Sequence, residues 1–131
     1  MRYRDHSDGP WIEIANARPG WITVTMTFDA AGDRTPMHAH RHDHEMECRA
    51  GAALIEIDGV QTVVKLGDRY LVEPGLRHGA KALQSGTVLV CEHEIRRENG
   101  ERDPDAFSAD GIPLEWIERL TESWGPAHVA G

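Results

Sequence analysis

The sequence predicts an all-β barrel or sandwich carrying one C-terminal α-helix, and three observations predict it. Between about residues 11 and 95 apolar and polar side chains alternate with the period of two that a half-buried strand requires. Glycine, proline and aspartate break that stretch into short pieces, the pattern of antiparallel sheets rather than of helices. At Arg96 the composition turns polar, and the apolar residues that follow recur at helical spacing.

The first candidate strand is Trp11–Ile14, followed by a turn at Arg18-Pro19-Gly20. The clearest is Trp21–Phe28. Thr23, Thr25 and Thr27 alternate there with Ile22, Val24, Met26 and Phe28, all good strand formers. From Ala53 the chain reads as a hairpin: a strand to Ile57, an Asp58-Gly59 turn, and a return strand over 60–66. Gly67-Asp68 precedes another strand from Arg69, and Ser85-Gly86 precedes the last, 87–95. Residues 96–111 are polar, charged and rich in turn formers, so they form a loop. Over 112–124, Leu114, Ile117, Leu120 and Trp124 make one apolar stripe. Pro113 suits a first helical turn, and Glu115 and Glu118 suit the positive end of the helix dipole. This helix is expected to pack on the outside of a β unit covering residues 1–95.

At 131 residues the chain makes one domain with a real core. A net charge of −8 argues against nucleic acid and against anionic membrane surfaces, both of which select basic patches. It leaves small anionic substrates open, because one metal ion can dominate the local field. Cys48 and Cys91 form no C-x-x-C pattern and are too few for a disulfide scaffold, so a reducing compartment is expected. The first residues contain no apolar signal-like core, and no apolar run approaches membrane-spanning length. A soluble cytoplasmic protein is expected.

The chemistry concentrates in the stretch TPMHAHRHDHE, Thr35–Glu45, which holds His38, His40, His42 and His44. On a straight strand His38 and His44 would lie about 20 Å apart. An imidazole nitrogen binds an ion such as zinc at roughly 2.1 Å. One ion can therefore take His38 and His40, and can add His44 only where the chain folds back.

The residues from Gly32 through His38 and His40 to Gly51, GDRTPMHAHRHDHEMECRAG, resemble the first motif of the cupins, G-x5-H-x-H-x3,4-E-x6-G. Those from Gly67 through Gly75 and His78 to Ala82, GDRYLVEPGLRHGAKA, resemble the second, G-x5-P-x-G-x2-H-x3-N. The motifs cover 32–51 and 67–82, in the right order, joined by the Asp58-Gly59 hairpin. Glu73 stands at the motif's proline and Ala82 at its asparagine. The resemblance implies a jelly-roll β-barrel holding one divalent transition metal ion per chain (Zn, Fe, Ni or Mn). It also implies the missing bend, at Arg41-His42-Asp43, which leaves His42 outside the site.

The resemblance leaves His44 and Glu45 both eligible as third ligand. Alternation favours His44, because Met46 and Cys48 then line the barrel while Glu45, Glu47 and Arg49 face water. A bulge would reverse this. The expected ligand set is therefore His38, His40, His44 and His78. Four neutral ligands leave the ion's charge uncompensated, which suits an anionic or enolisable oxygen donor. Glu45, Glu92 and His93 are the candidate acids and bases, and Tyr70 and Arg77 flank the second motif. The function expected is a metal-dependent enzyme acting on a small enolisable, diketone or phenolic molecule, of dioxygenase, cyclase, isomerase or lyase type. The competing class is a non-catalytic cupin that binds or senses a small molecule. A homodimer is expected, with Trp11 and Trp21 on candidate edge strands.

Overall fold

In a computed structural model of the chain, residues 2–4, 7–18, 21–35, 37, 44–73 and 75–94 are described. The strands are β1 (Arg2–Tyr3), β2 (Trp11–Arg18), β3 (Trp21–Phe28), β4 (His44–Ala50) and β5 (Ala52–Ile57). They continue with β6 (Val60–Lys65), β7 (Arg69–Val72), β8 (His78–Ala82) and β9 (Thr87–Glu94). They form two antiparallel sheets, one in the order β1-β2-β3-β9-β4-β7 and one in the order β6-β5-β8. Every regular element among the described residues is a strand, and none of them is a helix long and apolar enough to cross a membrane. The expected loop 96–111 and helix 112–124 lie outside the described residues.

Alternation decides which side chains meet between the sheets. Ile12 and Ile14 of β2, Val24, Met26 and Phe28 of β3, and Leu89 and Cys91 of β9 form a layer on the large sheet. Met46 and Cys48 of β4 and Val72 of β7 extend it, and Ala53, Ile55, Val64, Ala80 and Ala82 of the small sheet cover it. Thr23, Thr25 and Thr27 stay half-exposed on the opposite face of β3, as their alternation predicts. The Asp58-Gly59 hairpin is formed: both residues have positive φ, 50° and 81°, so the turn twists with its flanking strands.

The two sheets are joined at buried backbone. Thr87 is fully buried, and its Oγ1 accepts the Ala52 N–H at 3.3 Å and lies 2.8 Å from the Gln84 carbonyl oxygen. This ties the start of β9 to the start of β5.

Two expectations shift, and one strand forms that the sequence pattern does not announce. β2 runs to Arg18 rather than stopping at Ile14, with a register irregularity between Ala15 and Arg18 that absorbs the break in pattern. β8 carries little strand-forming sequence (HGAKA) and forms because β5 pairs with all five of its residues. β3, which carries Trp21, lies between β2 and β9 and is not an edge.

Candidate functional site

His78 opens β8, in register with Ile57, on the same strand face as the core residues Ala80 and Ala82. Its ring is 4% exposed. Nδ1 lies 3.0 Å from the Leu76 carbonyl oxygen. A carbonyl only accepts, so Nδ1 carries the proton and donates it. In the neutral ring that leaves Nε2 as the lone-pair nitrogen, and this atom is itself shielded from solvent. Burial lowers the ring's pKa below that of a free histidine, outweighing the opposite effect of the bond to Leu76, so the neutral form is favoured. A buried neutral imidazole with Nδ1–H fixed by a backbone carbonyl is the arrangement that metal-ligating histidines commonly adopt.

The chain leading into the histidine-rich stretch is fastened beside this residue. Arg34 bridges to Lys81. Thr35 N–H donates to the Ala80 carbonyl at 2.9 Å, and Thr35 Oγ1 accepts the Ala80 N–H at 2.9 Å. Gly32 N–H and the Asp33 carbonyl pair with Ala82 at 2.8 Å each. The antiparallel pairing thus runs along β8 towards His78 as the other chain runs towards His38. The far end of the stretch is fixed as well, since His44 opens β4 in register with Val72, the last residue of β7. His38, His40 and His42 lie outside the described residues. Thr35 was not singled out from sequence, because its role comes from pairing with a distant strand and no local pattern reports that.

The candidate acids and bases separate. Glu45 and Glu92 face each other across β4 and β9 and are both exposed. Arg69 Nη1 lies 3.4 Å from Glu45 Oε1, and its Nη2 lies 2.8 Å from Glu47 Oε2. These carboxylates stand on the outer face of the large sheet, on the opposite side of β4 from Met46 and Cys48. His93 follows Cys91 by two residues on β9, in register with Ile22. Tyr70 reaches inward from β7, where its hydroxyl donates to Met46 Sδ at 3.1 Å. Burial, then the neighbouring Cys91 and Cys48, push its pKa well above that of free tyrosine, so it stays a neutral donor. Arg77 is exposed. Cys48 and Cys91 are buried and form no disulfide.

This architecture is shared with known proteins. No protein-family model matches the chain. It is 25% identical over 104 residues to the pectin degradation protein KdgF of Dickeya dadantii (strain 3937), an alignment covering 73% of this chain and 94% of that protein. The solved structure of KdgF from Halomonas sp. superposes with a TM-score of 0.63 at 25% identity, covering 73% of this chain and 87% of that one. An RmlC-like cupin from Shewanella frigidimarina NCIMB 400 superposes with a TM-score of 0.52 at 28% identity, covering 67% and 87%. This chain belongs to the cupin superfamily. Within the cupin barrel, the pairing of Thr35 with Ala80 sets the start of the first motif against the end of the second.

Proposed function

We propose that this cupin is a metal-dependent enzyme acting on a small oxygen-bearing molecule, with His38, His40, His44 and His78 as ligands to one divalent transition metal ion. The observation that carries the reading is His78: buried and neutral, with its ring orientation and tautomer fixed by Nδ1–H given to the Leu76 carbonyl. The fastening of Thr35 to β8 supports the approach of His38 and His40 to the same point. The outward, arginine-paired side chain of Glu45 supports His44 as the third ligand, because strand alternation carries position 44 to the Met46 face.

Such an ion would polarise a bound oxygen donor or, if redox-active, support reaction with dioxygen. The chain's own contributions are more specific. The Leu76 carbonyl holds the His78 ring in one tautomer and one orientation. The apolar wall of Met46, Val72 and Cys91 excludes water from the interior, which strengthens electrostatic interactions there. Of the candidate acid–base groups, Glu45 and Glu92 stand on the outer face, which favours His93 for that role. The KdgF likeness adds acidic products of pectin breakdown to the diketones and phenols as substrates to test. A carboxylate or α-oxygenated acid suits an ion held by four neutral ligands.

The test is elemental analysis of purified protein beside a screen with pectin-derived sugar acids, diketones and phenols, following both product formation and oxygen uptake. About one ion per chain and turnover that disappears in His78→Ala are expected. Protein purified without metal, and unable to take any up, would overturn the reading. Full metal loading with ligand binding but no turnover would favour the binding or sensing class.

A further inference from the structure

The hydroxyl groups of the interior differ in how well they are satisfied. Thr35 Oγ1 accepts the Ala80 N–H. Thr87 Oγ1 accepts the Ala52 N–H and lies within hydrogen-bonding distance of the Ala52 and Gln84 carbonyl oxygens. Both are committed to backbone. The Tyr70 hydroxyl instead has, among the described residues, the thioether of Met46 as its partner, at 3.1 Å. Sulfur there can only accept, so the hydroxyl donates, and a thioether is a weak acceptor. A buried tyrosine hydroxyl ordinarily finds a full partner. One left with so poor a partner calls for an explanation.

Its placement supplies one. Tyr70 stands opposite Met46 in the β4–β7 register, and Val72 stands opposite position 44. Tyr70 thus shares a face of β7 with buried Val72, two residues along the strand from the level of position 44, or about 6.6 Å. Its ring packs against the core cluster while part of the residue stays accessible. Burial, then the neighbouring Cys91 and Cys48, keep the hydroxyl protonated, so at neutral pH it can donate but cannot act as a base. Met46 is unbranched and flexible, and can withdraw when a better acceptor arrives. We infer that the Tyr70 hydroxyl is a second anchor for the ligand, donating to the ketone oxygen of a small oxo acid whose carboxylate reaches the ion. This rests on the metal reading above. A ketone oxygen accepts without donating, which matches a group already committed to donating. The analogue without that oxygen would leave the donor with only its thioether, and such a loss is what lets a site reject it.

The experiment uses the full-length chain with isotope-enriched tyrosine rings, both metal-loaded and after chelation. The chain has two tyrosines, Tyr3 and Tyr70, so the Tyr70 Cζ resonance is the one missing from Tyr70→Phe, and Tyr3 is the control. Levulinate, an acid with a ketone oxygen, should move the Tyr70 resonance. Pentanoate, the same acid without that oxygen, should leave it in place. By calorimetry the wild-type protein should bind levulinate at least about tenfold more tightly than pentanoate, the worth of roughly one hydrogen bond. Tyr70→Phe should bind both acids equally, at the affinity of pentanoate, with its metal content unchanged. Levulinate bound while the Tyr70 resonance stays still, an undiminished preference in Tyr70→Phe, or no binding to either form would overturn the assignment. The two readings fail separately. A levulinate-specific shift that survives chelation upholds Tyr70 and removes the ion as first anchor, whereas a loaded protein whose Tyr70 resonance never moves keeps its ion and removes Tyr70.

Discussion

In the proposed ligand set, His78 and His44 hold the ion and Glu45 does not. Glu45 stands at the water side of β4 beside Arg69, and the proposed ligand set gives the metal His44 in its place. His44→Ala should therefore lower metal affinity by more than the roughly 100-fold upper range seen when only a supporting contact is lost. Glu45→Gln should retain close to one ion per chain. Metal content of the two variants measured together decides the matter, and an exchange of phenotypes would make Glu45 the ligand. The cysteines give a second residue-scale expectation. Burial, then the nearby Glu92, push the Cys91 thiol up to about 12, and burial raises Cys48 as well. Neither should react with an alkylating reagent at pH 8 until the protein unfolds. The sign for stability follows. The unfolded chain loses the Cys91 proton near 9 and the folded chain only near 12, so the contribution is intact below pH 9 and is lost as pH rises between those values. Cys91→Ala should flatten the alkaline limb of a stability–pH curve over that window, whatever it does to the stability at pH 7.

At the scale of elements, two glycines occupy the same backbone region for different reasons. Gly59 closes the β5–β6 hairpin at φ 81° with open space around it. Gly51 joins β4 to β5 at φ 71°, where an added Cβ would lie 2.4 Å from Thr87 Oγ1 and 2.9 Å from Thr87 Cα. Gly59→Ala should cost about 1–2 kcal/mol, the ordinary penalty of a left-handed residue. Gly51→Ala meets that penalty plus a clash with buried backbone, and should cost about 3 kcal/mol; chemical denaturation of both variants checks the order. Gly51 also shows what a sequence can disclose. Its place in the motif was legible, whereas its contact with Thr87 depends on a residue far along the chain. The same division holds for the strands. Trp21–Phe28 and the Asp58-Gly59 hairpin carry their pattern locally and were legible. β8 is held by β5 and by Thr35, contacts that local sequence does not encode, and β2 continues past Ile14 because pairing with β3 sustains it through an irregular register.

The whole molecule is a two-sheet sandwich in which β1 covers only Ile12 and Glu13 of the outer side of β2 among the described residues. An edge left that open favours association, and a homodimer in light scattering at micromolar concentration is the expected result. A monomer at high micromolar concentration would remove it. The two sheets also set the consequence of metal binding. His44 begins β4 in the large sheet, and His78 begins β8 in the small one. An ion shared by these residues would join the sheets at one end of the barrel, while Thr87 and Ala52 join them elsewhere. Binding to the folded chain alone adds stability that grows with free ion, about 2.7 kcal/mol at one hundred times the dissociation constant. For a domain of this size that corresponds to a melting temperature higher by roughly 10 °C. A chelator should therefore lower the melting temperature of the wild-type protein by several degrees and leave His78→Gln nearly unaffected. If chelation shifts both proteins equally, the ion acts away from His78. If it shifts neither, no ion bridges the sheets, and the ligand set proposed for this cupin fails without any knowledge of its substrate.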